Sequence, residues 1–68
     1  MPYAQTEFLD VSGAVIYSDP NLLTIPLYIG MRIDFGVKGT YKITAWSYHP
    51  GVENAAALRI ICEYMAGN

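Results

Sequence analysis

Residues Gly30 to His49 read G-M-R-I-D-F-G-V-K-G-T-Y-K-I-T-A-W-S-Y-H, and this stretch decides the fold. Its alternation predicts a β-hairpin with a definite register. With Phe35 opposite Tyr41, Ile33 meets Ile43 and Met31 meets Ala45 on one face, because side chains alternate with period two. The other face then sets Asp34 against Lys42, an opposite-charge pair, and Arg32 against Thr44. Gly36 faces Thr40, leaving Val37-Lys38-Gly39 as a loop whose last position, a glycine, supplies the positive φ that such a turn requires. Slipping the pairing by one residue would carry Lys42 onto the apolar face, which burial forbids.

Upstream, Ser12-Gly13 marks a tight turn and predicts a first hairpin with arms Tyr3–Val11 and Ala14–Ser18. Phe8 and Leu9 are adjacent and must point to opposite faces, so either both faces of that strand are covered or one of the two residues lies in an intersubunit contact. Asp19-Pro20-Asn21 is a second turn signal. Leu22 to Ile29 follows, with Pro26 unable to donate to a ladder. It reads as an extended crossover laid over the core, delivering the chain to the central hairpin at Gly30; the alternative is an exposed apolar edge.

Downstream, His49 to Asn54 is a loop, and Ala55 to Met65 supports two readings. As a strand it lines one face with Leu58, Ile60, Cys62 and Tyr64, and the other with Arg59, Ile61, Glu63 and Met65. As a helix it would be capped by Asn54 and closed near Gly67, with Arg59 and Glu63 as an i, i+4 pair. The strand is preferred, because Ile60-Ile61-Cys62 and Tyr64 favour extended chain. The expected fold is therefore mainly β: a small antiparallel barrel or strongly twisted sheet of four or five strands around the 30–49 hairpin. The alternative is α+β with a C-terminal helix over 53–66.

Sixty-eight residues make a single small domain, 1–68, and a chain of this size buries only about 60% of its unfolded surface. Cys62 is the only cysteine and His49 the only histidine, so neither an internal disulfide nor a closed Cys/His zinc site can compensate. The chain is 53% hydrophobic and only 15% charged, against about 25% charged in an ordinary soluble domain. Apolar residues must then reach the surface, and an exposed apolar surface marks an interface. The net charge of −2 and the scatter of Arg32, Lys38, Lys42 and Arg59 argue against nucleic acid, which demands a basic patch. The N-terminus has no signal-peptide pattern, and the apolar run Leu22 to Met31 is too short to span a bilayer. A lone cysteine makes a cytoplasmic setting the expectation.

No reaction constellation is legible. His49 stands before Pro50 with Glu53 as the nearest downstream acid and nothing to orient the pair. Cys62 lies among aliphatic residues, the opposite of what a nucleophilic thiol needs. The acids Asp10, Asp19, Asp34, Glu53 and Glu63 show no paired spacing, and Gly30, Gly36 and Gly39 form no phosphate loop. No catalytic residue, metal ligand or cofactor is assigned, and the protein is not expected to be an enzyme. Trp46 and Tyr48 stand out as large aromatics on the face opposite Ile33, Phe35, Tyr41 and Ile43, a pattern typical of interface anchors or, equally, of a second part of the core over which a curled sheet has closed. Ile61 and Met65 would extend the same patch, and Tyr28 adds another exposed aromatic.

The expected function is a non-catalytic protein-interaction module. It would associate with itself and with another protein, as a small phage- or plasmid-type accessory or inhibitor would, without nucleic acid or membrane. The alternative is a small-ligand-binding barrel whose mouth is lined by Tyr17, Tyr28, Trp46, Tyr48 and His49.

Overall fold

A computed structural model describes residues 4–51 and 56–66. Five strands form one sheet: β1 (Thr6–Asp10), β2 (Val15–Asp19), β3 (Arg32–Asp34), β4 (Thr40–Tyr48) and β5 (Leu58–Ala66). Their order across the sheet is β2-β1-β5-β4-β3, and the sheet curls into a half-barrel. The C-terminal segment is thus a strand from Leu58 onward, and the helix over 53–66 is not formed there; residues 53–55 lie outside the described residues. β5 is also the centre of the sheet, a place expected for the 30–49 hairpin. The sheet is mixed, because β1 and β5 run parallel and all other pairs antiparallel. That parallel pair needs a long crossover between its strands, which the β2–β4 portion of the chain provides.

The core explains why β5 is central. Ile60 and Cys62 are fully buried and Leu58 nearly so, and they cluster with Phe8, Ile16 and Ile43. Leu23 and Leu27 of the connection pack onto this cluster from the inner side, together with Met31, Ile33, Phe35 and Tyr41. Buried Thr6 fastens that connection, its hydroxyl donating to Asn21 O at 2.9 Å and accepting from Leu23 N at 3.0 Å. Both hydrogen-bonding roles of the hydroxyl are thereby filled, as burial of a polar group requires.

The first hairpin forms as the Ser12-Gly13 signal implies. Gly13 takes φ 93° and donates to Asp10 O at 3.0 Å, while Asp10 Oδ1 accepts from Ser12 N and Ala14 N at 2.8 and 3.1 Å. These bonds, led by that from the Ser12 hydroxyl, hold the Asp10 carboxyl below its ordinary value. Phe8 and Leu9 are both buried, on opposite faces of β1.

The second hairpin differs from its expected register by two residues. Arg32 lies opposite Lys42, Ile33 opposite Tyr41 and Asp34 opposite Thr40. Phe35 N donates to Gly39 O at 3.0 Å, so the loop is Gly36-Val37-Lys38, a single 3-10 turn, rather than Val37-Lys38-Gly39. Two glycines make this possible: Gly36 enters the turn at φ 72° and Gly39 leaves it at φ 102°. A slip of two preserves every face, so Ile33, Tyr41 and Ile43 still point inward. The charge pairing changes: Lys42 bonds Glu63 on β5 at 3.4 Å, while Asp34 Oδ1 accepts from Gly36 N at 2.8 Å.

Three bulges curl the sheet, setting Ile16, Thr44 and Met65 outside the regular pairing of their ladders. At the turn of the curl Lys38 Nζ donates to Ile16 O, joining the tip of the second hairpin to the edge of the first. No helix among the described residues is long and apolar enough to cross a membrane.

Candidate functional site

The bulge at Thr44 controls where the candidate aromatics point. Ile43 pairs with Cys62, but beyond Thr44 the register shifts, so Ala45 pairs with Ile61, Trp46 with Ile60 and Tyr48 with Leu58. Directly paired residues share a face. Trp46 and Tyr48 therefore lie on the inner face with Ile60 and Leu58, not on the outer face that uninterrupted alternation from Ile43 implies. The signal was present in the spacing of large apolar residues at 41, 43, 46 and 48, where the step of three marks the extra residue. Thr44 Oγ1 donates to Ile61 O at 3.3 Å within the bulge.

These aromatics are inner-facing yet exposed, Trp46 by 40% and Tyr48 by 57%. β3 explains why. It pairs only with Thr40, Tyr41 and Lys42, and the last contact along that side is at Ile43, which exchanges bonds with Gly30 N at 2.7 Å and Met31 O at 2.9 Å. Among the described residues no strand pairs with this side of Ala45–Tyr48. His49 N donates to Ala57 O at 2.5 Å, so Ala45, Ser47 and His49 turn their peptide groups toward β5. By alternation the N–H and C=O of Trp46 and Tyr48 face the open edge. The edge segment Thr44-Ala45-Trp46-Ser47-Tyr48 carries no charge. Tyr28 and Ile29, just before the Gly30 contact, are exposed by 61% and 62%.

Ile61 and Met65 belong elsewhere. Ile61 lies on the outer face in a row with Leu9 and Ala45, and that row sits between the Arg59–Glu7 pair, 3.6 Å, and the Lys42–Glu63 pair. Met65 is the bulged residue near the end of β5, 41% exposed. The five interface candidates thus divide into Trp46, Tyr48 and Tyr28 around the open edge of β4, and Ile61 and Met65 apart from it.

A second feature lies where the curled sheet fails to close. Between β2 and β3 is a cleft of about 400 Å³. Its aromatic walls are Phe8, Tyr17 and Phe35, with Leu23 and Ile33 beside them and Asp19 and Asp34 also lining it. The rings cluster, with centroids 5.4 Å apart for Phe8–Phe35, 6.1 Å for Phe8–Tyr17 and 6.2 Å for Tyr17–Phe35. Of the expected mouth residues Tyr17 alone lines this cleft; Tyr28, Trp46, Tyr48 and His49 do not. His49 Nε2 instead meets the Ser47 hydroxyl at 2.9 Å on the surface.

Cys62 is fully buried, and loss of solvent pushes its thiol up to about 11. A thiol so placed is a small core hydrophobe. Glu53 lies outside the described residues. No family model, curated protein or solved structure matches the chain, so the site is interpreted from its own geometry.

Proposed function

We propose that the protein is a non-catalytic interaction module that associates with a second copy of itself through the open edge of β4. One observation carries this: Ala45–Tyr48 offers an uncharged ladder edge, unpaired among the described residues, that carries exposed Trp46 and Tyr48. Natural edges are commonly blunted with lysine, proline or inward charge, and this one has none until Pro50. Two copies meeting antiparallel across a two-fold axis would extend the sheet with the same residues on both sides. The copies share a net charge of −2, and the edge is free of the charges that would make them repel there. A standard interface takes about 800 Å² from each partner, roughly a sixth of the 4585 Å² surface. Tyr28 and Ile29 supply apolar area near the edge for that purpose. A small, acidic, self-associating domain of this kind suits an accessory protein of phage or plasmid type that adapts or blocks a larger assembly.

The test is molar mass by light scattering over a wide concentration range, for the native chain and for Tyr48→Lys. Tyr48 is more than half exposed, so the substitution spares the core while placing like charges at the two-fold contact. The native chain is expected to exceed its 7.5 kDa monomer mass, and Tyr48→Lys to return to it with an unchanged circular dichroism spectrum. A native chain that stays monomeric throughout, or a variant that keeps the oligomer, overturns the proposal.

A further inference from the structure

The cleft between β2 and β3 is walled by aromatic and aliphatic side chains that face inward without being covered. We propose that it binds a small neutral aromatic molecule. Tyr17 pairs with Phe8 on the inner face, yet it is 47% exposed, and Leu23, Ile33 and Phe35 are only half-buried. Apolar side chains that face inward and still meet solvent mark a concave surface that a ligand can fill. The walls are fixed in advance. Phe35 is held between Phe8 and Tyr41, at centroid distances of 5.4 and 5.5 Å, and both contacts are edge-to-face. Leu23 N is bonded to the buried Thr6 hydroxyl, and Lys38 Nζ closes the seam at one end by donating to Ile16 O.

Ring geometry and charge select the ligand class. Aromatic pairs favour offset or edge-to-face arrangements at centroid separations of about 4.5–7 Å. The centroids of Phe8, Tyr17 and Phe35 stand 5.4, 6.1 and 6.2 Å apart, and a ring in the cleft continues that packing. A saturated ring of the same size lacks this attraction. An anion is disfavoured, because Asp19 lines the cleft and none of the described lining residues is basic. A cation is disfavoured as well, because the walls are otherwise largely apolar and strip it of water. One partly exposed carboxylate, already accepting from Asn21 N at 2.9 Å, offsets little of that loss. Asp34 also borders the cleft, but it alternates with inward Ile33, so its side chain belongs to the outer face. The volume falls in the lower part of the range of about 300–1,000 Å³ found for small-ligand pockets, which limits the ligand to a compact molecule. Binding there is independent of self-association through β4, since neither Trp46 nor Tyr48 lines the cleft.

The experiment is a titration of the full chain followed by amide nitrogen–proton correlation spectra. The probes are 2-phenylethanol, its saturated counterpart 2-cyclohexylethanol, the anion phenylacetate and the cation 2-phenylethylammonium. Saturable shifts are expected for 2-phenylethanol at Tyr17, Leu23, Ile33 and Phe35, with an affinity about threefold above that of 2-cyclohexylethanol. The saturated alcohol is the more apolar of the two, so burial alone cannot produce that preference. Both ions should bind more weakly than 2-phenylethanol. In Tyr17→Leu, which replaces a half-exposed ring by an aliphatic side chain, the preference for the phenyl ring should disappear. If that variant loses its dispersed spectrum, nuclear Overhauser contacts in the native chain replace it: the ring protons of bound 2-phenylethanol should meet those of Tyr17 and Phe35. Equal or tighter binding of the saturated alcohol or of either ion, shifts confined to other parts of the chain, an undiminished preference in folded Tyr17→Leu, absence of those ring contacts, or no saturation by any probe each overturn the proposal.

Discussion

Ile60 and Ile61 are chemically identical neighbours on the central strand, and the register gives them opposite environments. Ile60 points inward against Trp46 and Phe8 and is fully buried; Ile61 points outward beside Leu9 and Ala45 and is half-buried. Replacing Ile60 by valine removes one buried methylene, worth about 0.8 kcal/mol in transfer and about 1 kcal/mol with the void included. For a domain this small, 1 kcal/mol corresponds to a fall in Tm of about 4–8 °C. Ile60→Ala should cost about 2–5 kcal/mol, against a total near 3–10 kcal/mol for 68 residues at the usual stability per residue. That loss takes the chain close to unfolding. Ile61→Val should stay below about 0.5 kcal/mol, because its methyl is only partly removed from water. The assay is thermal unfolding by far-ultraviolet circular dichroism at one low protein concentration, since association stabilises by mass action. A loss at Ile61 equal to or larger than that at Ile60 would mean that β5 presents its other face to the core. The assignment of Trp46 to the inner face would then fall with it.

Three further predictions rest on the burial of Cys62 and on the contact made by Lys38. The Cys62 thiol, held near 11 against an ordinary 9.0, should resist an aromatic disulfide reagent at neutral pH in the native chain and react at once when urea unfolds it; rapid native labelling refutes its burial. Because the unfolded chain loses that proton first, the contribution of this group is intact below pH 9 and stability should fall as pH rises from 9 toward 11, whereas Cys62→Ala should lack that limb of the pH–stability curve. Lys38→Met removes the bond from Nζ to Ile16 O, and hydrogen exchange should accelerate in β2 while β5 keeps its protection. Unchanged exchange in β2 would show that ring packing alone holds the two edges together.

The strands were legible where two kinds of signal coincided. Turn residues at Ser12-Gly13 and at Gly36–Gly39 bracketed alternating segments, and the β-branched run at Ile60-Ile61 outweighed the helix-favouring alanines before it. The faces of β3, β5 and the start of β4 followed from period two, which tolerates a register error of two residues without moving any side chain to the wrong side. That is why the second hairpin kept its inner face although Asp34 and Lys42 did not meet. A bulge is a different kind of error. One extra residue at Thr44 inverts every side chain beyond it, and so Trp46 and Tyr48 changed faces while Ile61 did not. The cleft was hidden for another reason: Phe8, Tyr17, Leu23, Ile33 and Phe35 are scattered through the sequence, and only the approach of β2 to β3 brings them together.

The open edge of β4 traces to one mismatch of lengths. β4 runs from Thr40 to Tyr48, and β3 covers it only from Thr40 to Lys42, with one further contact at Ile43. A β3 long enough to match β4 would pair with Ala45–Tyr48 and leave no edge there for another strand. The connection that precedes β3 does not extend that ladder. It lies over the inner face instead, where Leu23 and Leu27 pack on the buried cluster and Thr6 fixes its path. The curl brings the short β3 toward β2 at the Lys38 tip, where the rings meet, and leaves the rest of the seam as the cleft. Lengthening β3 would strengthen the sheet by ladder bonds and remove the open edge of β4. The sequence from Pro20 to Met31, free of charge and interrupted by Pro26 and Gly30, keeps that extension from forming and so preserves the exposed edge.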